Sequence, residues 1–273
     1  MTQAHSRSRT LITSILLFLI VFGLWQAYDL ILLYVSMAPS LNYAFYFATY
    51  AIAFAVFVAF VKFGKSDFKK QGFKVPSNVP RTLLLSLFFV GYYIFVILVP
   101  GSIFGFSLRP LPSIFFIAFN IARAIVIGII TESVFRGYIF KNLVENHGFF
   151  TSLYLSSIMF GLHRYDDPVS IINLLDMSAN QIMTDVVFIE VLPAFVAGLF
   201  LGYMFYKMDW SLLGPIIFRV GILIYFPLSP ITVGMQWWMG LTFEIVAYAG
   251  LILIVDSIIK EPRYRRKKYG LES

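Results

Sequence analysis

Seven side chains with chemistry to offer lie inside otherwise apolar runs of this sequence: Arg123, Glu132, Arg136, His163, Glu190, Arg219 and Glu244. A carboxylate and an imidazole are the minimum needed to activate a water and protonate a leaving amine, so Glu132 and His163 form the first pair to consider. Glu132 and Arg136 stand four residues apart, which on a helix puts both on one face, one turn apart. An ionisable pair within lipid is a functional-site candidate by default. It can equally be a structural ion pair that pins two helices together. The residues alone leave both roles open.

The elements that must position these groups are membrane spans. Of 273 residues, 59% are hydrophobic, 18% aromatic and only 13% charged, with a mean hydropathy of +0.83. A soluble domain carries about 25% charged residues, so this chain lacks the polar surface to cover itself in water. There is no cysteine, which excludes disulfides, thiolate catalysis and thiolate metal sites. One histidine and one carboxylate make a poor zinc site, since catalytic zinc takes three protein ligands. No metal and no other cofactor is expected.

The expected fold is all-α, a single polytopic membrane domain of about eight transmembrane helices across residues 1–273. Spans are placed at about Leu11–Val35, Leu41–Val61, Thr82–Phe106, Ser113–Phe140, Phe149–His163, Val186–Tyr206, Leu212–Phe226 and Met239–Ile259. The basic start (MTQAHSRSRT) with no cleavage site after a short apolar core is read as leading into a retained span. Residues 141–148 are read as a short loop, and 168–184 as a mixed loop or a re-entrant segment. On that reading Glu132 lies two turns from one end of its helix, whereas His163 is at the far end of the next, a mismatch in depth. Eight spans with both termini cytoplasmic put sixteen of the 21 Lys and Arg inside, leaving Arg109 and Arg164 outside and three arginines within spans. The tail, 260–273, holds six of the sixteen and is read as contacting anionic lipid, not nucleic acid.

The segment Thr131-Glu132-Ser133-Val134-Phe135-Arg136-Gly137-Tyr138 resembles the first motif of the CPBP family of intramembrane proteins. That family includes the prenyl-protein CAAX endopeptidases and the bacteriocin-immunity (Abi) proteins. Met159-Phe160-Gly161-Leu162-His163 resembles its second motif, and Asp209-Trp210-Ser211-Leu212 the turn before its third. The resemblance covers about 112–228, with residues 1–106 as preceding helices, and implies a CAAX-protease/Abi-like helical bundle. It also implies where this chain departs from an active pattern. The water-activating first glutamate falls on Thr131, while Glu132 matches the second. The motif-three histidine and asparagine fall on Arg219 and Leu223. Threonine cannot deprotonate water at neutral pH, and Glu132, one residue along, points about 100° away. Arginine offers donors and charge but is neither a base nor a neutral ligand.

Three functions follow as expectations. The first is a non-classical or inactive relative that binds or regulates another integral membrane protein or membrane-anchored peptide, with membrane lipid around it and no nucleic acid. The second is an active endopeptidase using Glu132 and His163, with Arg136 organising the site and Glu190 and Arg219 assisting. The third is a small transporter, which would need a continuous solvent path. The plasma membrane of a prokaryote is the expected location.

Overall fold

The computed structural model describes residues 2–34, 39–64, 66–108, 110, 112–163, 182–229, 231–233 and 237–259. The polar cluster after His163, most of 168–184 and the basic tail lie outside these. Among the described residues ten α-helices follow in order: α1 Thr2–Tyr34, α2 Pro39–Phe63, α3 Val79–Leu98, α4 Gly101–Phe104, α5 Ile114–Glu132, α6 Lys141–His147, α7 Phe149–His163, α8 Leu192–Lys207, α9 Leu213–Leu228 and α10 Trp237–Ile258. Two π-helices, Ser133–Phe140 and Ile182–Val191, join α5 to α6 and lead into α8. Two short strands, β1 Phe106–Leu108 and β2 Ile231–Val233, pair antiparallel with Phe106 opposite Val233. Among the described residues, six helical stretches are long and apolar enough to cross a membrane, and α7 and α9 are shorter apolar helices. The molecule is a polytopic helical bundle, as its composition requires.

Two boundaries differ from the sequence reading. α3 ends at Leu98, not near 106, because Pro100 and Gly101 interrupt it before the short α4. Residues 141–147 are not a loop. They continue α5 and the π-helix as one stretch from Ile114 to His147, and the chain turns only at Gly148, whose φ is +78°. Leu143 and Val144 are buried, so packing favours helix where polarity suggested a turn. At its other end α5 is capped by Ser113, whose hydroxyl accepts from the Phe116 N–H at 3.2 Å.

Helices pack through small residues, the usual device where lipid supplies no hydrophobic drive between them. α7 lies against α8, α9 is clamped between α3 and α5, and α10 closes over α3 and α8. A Cβ built on Gly198 of α8 would stand 2.9 Å from Ser157 Cβ and 3.0 Å from its Cα. Gly198→Val is therefore expected to lower stability by about 1–3 kcal/mol through overpacking. Gly23→Val, where nothing lies within 4 Å, should change it by less than about 0.5 kcal/mol. Thermal unfolding in one detergent compares the two.

Residues 66–78 and the α8–α9 turn form a cap at the end of the bundle where α1 begins. The Leu212 N–H donates to the Gly72 carbonyl at 3.0 Å, and the Ser211 hydroxyl to that of Lys74 at 3.0 Å. The Ser77 hydroxyl donates to the Asp209 carboxylate at 2.8 Å. Asp209 and Trp210 hold left-handed φ values of 60° and 57°, a conformation costing non-glycine residues roughly 1–2 kcal/mol each. Gly137 completes this junction, since a Cβ there would meet the Gln71 carbonyl oxygen at 2.8 Å.

Candidate functional site

Glu132 ends α5 and Arg136 lies in the π-helix that follows. Such a helix re-aims side chains and recurs at functional sites. The ion pair expected from their spacing is present: Arg136 Nε is 3.4 Å from Glu132 Oε2, and neither side chain has any exposed surface. No carboxylate oxygen or guanidinium nitrogen of this pair reaches hydrogen-bond geometry among the described residues, so charge and ring contacts hold it. The Arg136 guanidinium lies 4.4 Å from the centroid of the Phe160 ring, and that of Arg219 lies 5.2 Å from the same ring. Phe160 of α7 is thus shared by two cations, one from the π-helix and one from α9. Arg219 is also close enough to act electrostatically on the Glu132 carboxylate.

His163 ends α7 and is buried between two aromatic rings. Trp25 of α1 stacks on it at 3.7 Å between centroids and 27° between planes, and Phe135 stacks on it at 5.4 Å and 19°. The depth mismatch expected between Glu132 and His163 is therefore corrected. Glu132 is sixteen residues before Gly148 and His163 fifteen after it, each a rise of about 22–24 Å from the turn. The mismatch came from reading 141–148 as a loop. With α6 helical, the two residues lie a similar number of positions from the turn, and Phe135, which stacks on His163, meets Phe160 edge to face at 5.2 Å.

Beside them is a cavity of about 310 Å³ in the half of the bundle away from the start of α1. Its wall includes His163, Arg219, Leu223 and Arg123, with Tyr46 and Tyr50 among its aromatic rings. Arg123 Nε donates to the Tyr46 hydroxyl at 3.0 Å. Neither Thr131 nor Glu132 belongs to this wall. Thr131 is fully buried and its hydroxyl donates to the Ile127 carbonyl at 2.7 Å, within its own helix.

Residues 112–225 match the family described as type II CAAX prenyl endopeptidase Rce1-like. That stretch, under half of the chain, is similar to the CAAX-protease family. No curated protein matches the chain. The four positions singled out by the motif resemblance are split by the fold. His163, Arg219 and Leu223 line the cavity, while Thr131 is turned into helix packing. Glu190 and Glu244 stand apart from this cluster. Glu190 is exposed, and Glu244 lies on α10 near Tyr93 of α3. Among the described residues no three His, Asp or Glu side chains come together in a way that could hold a metal ion. Trp25, the closest ring to His163, escaped the sequence reading because nothing in an apolar first span marks which face meets a helix 138 residues later.

Proposed function

We propose that this chain is a CAAX-protease family member and a binding protein that does not hydrolyse peptides, and that its cavity takes a short segment of another membrane protein. The observation that supports this reading is the separation of the carboxylate from the cavity. The wall offers cations and an imidazole, whereas the carboxylate of Glu132 is fully buried and engaged by Arg136. A general base must come within hydrogen-bond reach of the proton it removes. About 310 Å³ is at the low end of ligand-pocket volumes, enough for a few side chains but not a whole helix. Aromatic rings with Arg123, Arg219 and His163 suit an apolar segment carrying an acceptor such as a free carbonyl or carboxylate. Regulation or immunity would follow from holding such a partner. The Lys/Arg bias supports both termini in the cytoplasm, which puts the cavity in the outer half of the membrane.

The test places a photo-crosslinking residue at Tyr50 in the full chain in native membranes. One discrete membrane-protein adduct is expected, reduced at least tenfold by Arg219→Leu while the folded yield is kept. The competing reading is hydrolysis through Glu132 and His163, favoured by their similar distance in sequence from the turn. If the wild-type protein cleaves membrane-anchored peptides and Glu132→Gln or His163→Ala abolishes cleavage, the binding reading is wrong.

A further inference from the structure

A second and larger cavity, about 990 Å³, lies at the opposite end of the bundle, between α1, the 66–74 segment and α6. Arg9, Lys69, Lys70, Lys74 and Lys141 contribute to its wall, against one carboxylate, Glu145. Nothing in the proposed function uses it. Five cations around one space repel each other, and an anion seated among them relieves that repulsion.

Two further observations favour a phosphate-bearing amphiphile over a simple counter-ion. Lys141 is pre-oriented, with its Nζ 3.7 Å from the centroid of the Trp210 ring. The wall also carries exposed apolar surface at the end of a membrane span, since Phe63, at the end of α2, is 85% exposed. A headgroup in the cavity would therefore have a place for its acyl chains outside. Basic pockets between spans at the membrane surface suit such headgroups.

We infer that this cavity is a binding site for the phosphodiester headgroup of an anionic phospholipid. Lys69, Lys70 and Lys74 supply charge from the segment between α2 and α3, and Lys141 supplies an ordered contact from α6. The Asn146 side chain, which donates to the Thr10 hydroxyl at 3.0 Å, ties the α1 wall to the α6 wall.

The experiment titrates cardiolipin, phosphatidylglycerol or phosphatidylcholine into the full-length protein in neutral detergent and follows the unfolding temperature. The two anionic lipids should raise it saturably and phosphatidylcholine should not. Lys69→Gln/Lys70→Gln/Lys74→Gln changes only exposed side chains, so it should fold, and it should weaken the response about tenfold to a hundredfold. Glu145→Gln, removing the one opposing carboxylate, should strengthen it severalfold. Sodium phosphate is the control for a free anion. Equal stabilisation by phosphate at matched concentration would overturn the lipid assignment. An unchanged response in the triple variant, no response at all, or an equal response to phosphatidylcholine would overturn the site.

Discussion

Arg136→Leu is expected to destabilise the protein by about 3–5 kcal/mol, because it leaves the Glu132 carboxylate in a fully enclosed place without its cation. The penalty is chiefly that of the stranded partner. Glu132→Leu should accordingly cost a similar amount, and Glu132→Leu/Arg136→Leu should recover most of the loss. The pair gains little from hydrogen bonds among the described residues, so an apolar replacement of similar volume gives up mainly Coulomb attraction and ring contact. Equilibrium unfolding of the four proteins in mixed micelles closes the cycle. Losses that simply add in the double variant would show that the two residues act independently.

Phe160→Ala is expected to have the next largest effect, about 2–4 kcal/mol. The ring is fully buried and would leave a cavity, although the transfer part of the usual 3–5 kcal/mol is smaller where the unfolded reference is itself in lipid. It would also remove a ring that faces both Arg136 and Arg219. Phe160→Leu separates the two contributions. It keeps most of the volume but lacks the ring quadrupole, and should cost about 1–2 kcal/mol. The same variants report on the cavity at His163, because Phe160 packs edge to face on Phe135, which stacks on that imidazole. A loss for Phe160→Leu as large as for Phe160→Ala would mean that the ring's charge distribution, not its bulk, holds the cluster.

The membrane class, the eight apolar helices and the Glu132–Arg136 pair were legible in the sequence because each depends on local pattern. Hydropathy over about 20 residues marks a span, and a four-residue spacing marks one helix face. Thr131, Arg219 and Leu223 could be singled out by their spacing from the motif-like segments. Their fates could not. Thr131 turns into its own helix, while Arg219 and Leu223 line a cavity, and that division depends on how α5 and α9 are rotated against their neighbours. The depth of His163 depended on whether 141–147 was helical, which buried Leu143 and Val144 decided against the local polarity. The stacking of Trp25 on His163, the sharing of Phe160 by two arginines, and the basic cavity joining α1 to the 66–74 segment and α6 are contacts between distant parts of the chain. Periodicity says that a face is apolar or charged. Only packing says what that face meets, and here packing divides the motif residues between a cavity wall and a sealed ion pair.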